Sequence, residues 1–139
     1  MDKQSRLFLA IANRAYGGSP EVVELLRILF QRRDLDAQIE LVPESEIVET
    51  ARRLKPALIF AGYRVLEPEI DPSIPAFGDE ALRALRADPE TRNIPILMLE
   101  AYYDIDRVAR ECGVDAYIAL PFGATEIYDT VMELIGNEG

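Results

Sequence analysis

The stretch VDAYIALPFGATEIYDTVMELIG, Val114 to Gly136, decides how the chain is read. Its apolar run Ala116 to Ala119 is of strand length, and Pro121 follows almost at once. Beyond it Ile127, Val131, Leu134 and Ile135 recur at the spacing of one helical face, with Gly136 as the stop signal. A strand running through a proline into an amphipathic helix is one beat of an α/β fold. Chemistry in such folds gathers at the carboxyl ends of the strands, yet the residue in that position is Leu120.

Working outward, the same beat recurs. Four further apolar runs of strand length are Leu7 to Ala12, Ala37 to Val42, Ala57 to Ala61 and Ile96 to Leu99. Pro20 opens a first helix in the favoured first position, and Val22, Leu25, Leu26 and Leu29 are its expected apolar face. Ile47, Ala51 and Leu54 mark a second helix, and Ala81, Leu82 and Leu85 a third. Ile105, Val108, Ala109 and Cys112 mark a fourth, with Asp104 as its N-cap and Gly113 just past its end. Strands three, four and five are expected to be apolar on both faces, as a parallel sheet covered by helices on each side requires. The expectation is one α/β domain over residues 1–139, with five strands alternating with five helices.

The segment Gly62 to Gly78 breaks the rhythm. It holds Pro68, Pro72 and Pro75, favours extended structure, and is too long for an ordinary connection between strand and helix. It is a functional or a mobile loop, and its role stays open. Its acids Glu67, Glu69 and Asp71 lack the spacing of a calcium loop and read as a solvated surface.

Composition excludes several classes of function. With 15 Lys and Arg against 25 Asp and Glu, the net charge of −10 repels nucleic acid over most of the surface. No apolar run reaches membrane-span length, and the short N-terminal one reads as a strand rather than a leader. The single cysteine, Cys112, excludes an internal disulfide, falls on the buried stripe, and leaves the cytoplasm as the expected compartment. The chain has no histidine, so catalytic triads that use one are ruled out, and thiolate-rich zinc sites go with the lone cysteine. YGGSP, Tyr16 to Pro20, offers glycines ahead of a helix but lacks the lysine and spacing of a phosphate loop. No cofactor, no metal and no enzymatic activity are expected. The strand ends assemble no acid, base and nucleophile.

From KPALIFAG onward, and above all in LRADPETRNIPILML, the GVDAY turn and the PF before the last helix, the chain resembles a response-regulator receiver domain. The resemblance implies a flavodoxin-like, doubly wound parallel sheet of five strands in the order 2-1-3-4-5. Receiver domains take a phosphoryl group onto an aspartate beside Mg²⁺ held by an acidic pair, with a Ser or Thr and a lysine completing the site. By this resemblance the acidic pair falls on Ala12 and Asn13, the phosphoacceptor on Gly62, the Ser or Thr on Glu100 and the lysine on Leu120. All five differ. Glycine cannot accept a phosphoryl group, leucine cannot neutralise one, and without the acidic pair the Mg²⁺ site loses most of its charge. The expectation is a degenerate member, a pseudo-receiver, that works by contact with another protein.

The resemblance places the docking face on the fourth helix, fifth strand and fifth helix, hence on Tyr103, Arg107, Arg110, Glu111, Tyr117, Glu126 and Tyr128. The expected partner is a kinase, an output domain, another regulator, or a second copy of the chain. Tyr117 falls on the family's switch aromatic and reads equally as a plain sheet-edge tyrosine. Glu100 reads as a fixed negative charge imitating a signal, or as a carboxylate paired with Arg14 or Arg64. A second functional class stays open: an anion or small-ligand sensor using the switch-point crevice near Gly62, with two arginines that could hold an anion, or the long proline-rich loop.

Overall fold

The computed structural model describes residues 6–12, 20–61, 79–100, 110, 113–119 and 123–135. Five strands, β1 (Arg6–Ala12), β2 (Ala37–Pro43), β3 (Leu58–Ala61), β4 (Ile96–Glu100) and β5 (Ala116–Ala119), form one sheet in the order β2-β1-β3-β4-β5. Every pairing is parallel. The helices are α1 (Pro20–Arg32), α2 (Ile47–Leu54, preceded by a 3₁₀ turn at Glu44–Glu46), α3 (Asp79–Ala87) and a C-terminal helix (Ala124–Ile135). The expected strands are all present within a residue or two of their bounds. The fourth expected helix lies almost wholly outside the described residues, which include only its helical Arg110 and the turn at Gly113.

A parallel sheet must be covered on both faces, and alternation along the strands assigns the covers. Phe8, Ala10, Leu58, Phe60, Leu97, Leu99 and Ile118 point to one side, where they are buried with Val22, Val23, Leu26 and Phe30 of α1 and Ile127, Val131 and Ile135 of the C-terminal helix. Leu9, Ile11, Ile59, Ala61, Ile96 and Met98 point to the other, buried with Ile47 and Ala51 of α2 and Ala81, Leu82 and Leu85 of α3. On the first side Phe8 meets Phe30 and Phe60 edge-on, with ring centroids 5.5 and 5.9 Å apart. Such geometry adds about 1 kcal/mol per pair to the burial itself.

Two expectations are corrected. The buried face of α1 is Val22, Val23, Leu26 and Phe30, while Leu25 is 60% exposed and Leu29 only half-buried. The helix carries more apolar residues than one face can bury, and the large ring of Phe30 rotates that face toward Phe8. Strand five is not apolar on both faces either: Ile118 is buried, but Tyr117 is 42% exposed, because β5 is an edge strand paired only with β4. Among the described residues, no helix is long and apolar enough to cross a membrane.

The segment LRADPETRNIP is a stop and a clamp. Thr91 is fully buried and its hydroxyl donates to the Leu85 carbonyl at 2.7 Å, while Asp88 accepts from the Glu90 amide at 2.8 Å. Arg86, in the last turn of α3, donates from Nε to the Gly113 carbonyl (2.6 Å) and from Nη1 to the carbonyls of Arg92 (2.6 Å) and Ile94 (2.9 Å). Its Nη2 pairs with Asp115, whose carboxylate also accepts from the Ile96 amide at 2.8 Å. One guanidinium thus fixes the starts of β4 and β5. Gly113 is part of the clamp, since its φ is +74° and a Cβ there meets the Arg86 stem at 3.3 Å.

Two outcomes are expected. Arg86→Ala removes the donor to three carbonyls and the cationic partner of Asp115 and costs about 2–3 kcal/mol of unfolding free energy, measured by urea denaturation. Asp88 is bonded by Arg52, which, helped by the Glu90 amide, holds its carboxyl below the ordinary aspartate range. A carboxyl held low in the folded state stabilises above its unfolded value and loses that contribution as pH falls through the folded one. Stability therefore declines in acid from below about pH 4, and Asp88→Asn flattens that limb in a series of pH-dependent melts.

Candidate functional site

In a sheet ordered β2-β1-β3-β4-β5, successive connections leave β1 in opposite directions, and the carboxyl ends of β1 and β3 are the switch point at which sheets of this kind bind ligands. The register fixes which residues arrive at this switch point. Ala10 lies opposite Phe60, Ala61 opposite Met98, and Glu100 opposite Ala119, so Ala12, Ala61 and Leu99 approach the rim from β1, β3 and β4. Ala61 and Leu99 are fully buried and Ala12 is partly so. β1 and β3 thus end on methyl groups, while β4 ends on Glu100 after Leu99.

Of the five positions singled out from the sequence, Ala12 ends β1 and Glu100 ends β4 by its backbone. The Glu100 carboxylate, Asn13, Gly62 and Leu120 lie outside the described part of the chain, as do Arg14 and Arg64. Asn13 and Gly62 directly follow the last residues of β1 and β3 in sequence. A Mg²⁺ ion of the receiver kind does not fit this donor set. Ala12 offers a methyl group, Asn13 an uncharged amide and Gly62 no side chain, so the hard, multiply charged oxygen shell is missing. Among the described residues, no group of three or more acidic, histidine or cysteine side chains could hold a metal ion.

Of the residues of the expected docking face, Arg110, Tyr117, Glu126 and Tyr128 are described. Tyr117 stands on the β5 edge, half open to solvent, and Arg110 and Glu126 are exposed. Tyr103, Arg107 and Glu111 lie outside the described residues. Tyr128 is half-buried against the α1 side of the core, and the Arg33 guanidinium sits 4.9 Å from its ring centroid. Arg33 also donates to the Thr125 hydroxyl at 3.0 Å, tying the end of α1 to the first turn of the C-terminal helix. Tyr128 is thus engaged within the chain, whereas Tyr117 and Glu126 are exposed. Sequence spacing gave no sign of the Arg33 contact, because it joins residues far apart in the chain.

No family model matches the chain, and no curated relative does. Solved structures do match its fold. The receiver domain of a sensor histidine kinase of Pseudomonas aeruginosa, solved with a magnesium ion in its active-site cleft, is 22% identical at a TM-score of 0.70, over 96% of this chain and 100% of that one. The receiver domain of a signal-transduction histidine kinase of Syntrophus aciditrophicus is 25% identical at 0.70, over 96% and 92%. The chemotaxis response regulator CheY4 of Vibrio cholerae is 17% identical at 0.69, over 94% and 99%. The chain has the flavodoxin-like receiver fold.

Proposed function

We propose that this chain is a signalling module of the receiver family that is not phosphorylated at the family's usual place and acts by protein contact. The observation that carries this reading is the pair of strand ends at the switch point. β1 ends on Ala12 followed by Asn13, and β3 ends on Ala61 followed by Gly62. A fold whose Pseudomonas relative holds magnesium in its cleft is here built without the carboxylates such an ion needs. Among the described residues at the strand ends no acid, base and nucleophile stand together, which favours an adaptor over an enzyme. The module works in a two-component-type or related pathway, with a kinase, an output domain or another regulator as its partner.

Contact through the β5 edge is the mode supported by the exposed Tyr117, and Arg110 and Glu126, on the elements before and after β5, are exposed as well. Tyrosine and arginine are the residue types that interface anchors favour. The test uses the whole chain as bait, followed by quantitative binding of the protein it retains. Tyr117→Ala and Glu126→Lys are expected to weaken that binding about tenfold or more, while Glu40→Gln on the opposite edge strand leaves it unchanged. Equal binding by all three variants contradicts this contact mode.

A further inference from the structure

Three large hydrophobic side chains are exposed among the described residues, and two of them, Leu25 (60%) and Ile28 (40%), lie together on α1. With Glu21 and Arg32 they form a stripe spaced four, three and four residues apart, the spacing of a helix–helix seam. The stripe faces away from the side of α1 that buries Val22, Val23, Leu26 and Phe30. It borders a groove of about 310 Å³ lined by Leu25, Ile28, Leu29 and Arg32 together with Ala124 and Ile127 of the C-terminal helix. The surface is apolar in its middle, acidic at one end and basic at the other.

This arrangement is complementary to itself. Turning one helix end over end about its midpoint, between Leu26 and Arg27, exchanges Glu21 with Arg32 and Leu25 with Ile28. We propose that α1 is a self-association surface, on which a second copy of the chain docks its own α1 antiparallel across a twofold axis. Leu25 of each copy then packs on Ile28 of the other, and Glu21 of each meets Arg32 of the other, giving two apolar contacts and two ion pairs from a single patch. The flanks do not oppose the pairing. Glu24 is engaged with Arg27 of its own helix at 3.2 Å and falls opposite Gln31 of the second copy, while Arg27 also donates to the Ile39 carbonyl at 2.7 Å.

The bland explanation covers only half of the pattern. Glu21 in the first turn and Arg32 in the last both suit the helix dipole, which accounts for the charges without any partner. It does not account for a leucine and an isoleucine left in water between them. Among the described residues neither Glu21 nor Arg32 has an ion-pair partner. The net charge of −10 opposes self-association at long range, and at physiological ionic strength that repulsion is screened beyond about 8 Å, so local complementarity decides the outcome. A second copy is favoured over an unrelated protein because the midpoint symmetry of the stripe matches nothing so directly as itself.

The test is sedimentation equilibrium of the full chain from about 10 µM to 1 mM, the range expected of a small interface. The apparent mass should rise toward twice the monomer value. Leu25→Asp should hold the chain monomeric throughout. Glu21→Arg and Arg32→Glu should each weaken the dimer by about tenfold, by setting like charges against each other. The double variant carrying both reversals restores opposite charges across the twofold and should recover the original affinity. All four side chains are on the surface, and circular dichroism melts verify that each variant is folded. A chain that stays monomeric at 1 mM overturns the proposal and leaves the stripe to a different partner. Dimerisation that survives Leu25→Asp, or single reversals that the double variant fails to rescue, overturns it as well.

Discussion

The Arg86 guanidinium carries more of the architecture than any other polar group described. A parallel sheet has no hairpins, so the start of each strand must be placed by contacts from elsewhere in the chain. Arg86 does this for two strands at once, reaching carbonyls ahead of β4 and β5 and the Asp115 carboxylate that in turn receives the Ile96 amide. Related bonds act at the same end of the sheet: the Arg6 amide donates to the Asp36 carbonyl, and the Ala57 amide to that of Leu7. Because each helix runs back antiparallel to its strand, the last turn of α3 necessarily arrives there.

The polar groups that set strand position are therefore gathered at the amino ends of the strands, and the crevice is at the carboxyl ends. Between them lies a core whose tightest part is the Phe8, Phe30 and Phe60 cluster. Nothing in the clamp or the core calls for charge at Ala12, Asn13 or Gly62. Carboxylates gathered for Mg²⁺ repel one another and cost stability when no ion is bound. A receiver fold without them is spared that cost, which is the physical basis of the proposal that this chain keeps the frame without the phosphorylation chemistry.

The fold was legible in the sequence because its signals are local. Runs such as LIFA and ILML are too apolar to be anything but doubly covered strands, and the stops at Gly113 and around Asp88 are written in residue types. What escaped the reading was rotation and long-range contact. In α1 the surplus of apolar residues hid which of them face the sheet, and Leu25 was assigned to the core while Val23 and Phe30 were not. The pairing of Arg33 with Tyr128 and Thr125 joins helices at opposite ends of the chain, and no spacing rule reports it. The edge position of β5, which leaves Tyr117 open, follows from strand order rather than from the residues of β5 themselves.

The central claim is that the crevice is chemically silent while the frame around it is intact. The most direct measurement follows the amide resonances of the isotope-labelled chain during titration with Mg²⁺ and beryllofluoride, with intact mass recorded after incubation with acetyl phosphate. The account predicts no saturable shift at Ala12, Gly62, Glu100 or Tyr117 and no added phosphate. Saturable shifts at the ends of β1 and β4, or a phosphoryl group on any carboxylate of the chain, Asp71 first among them, would contradict it.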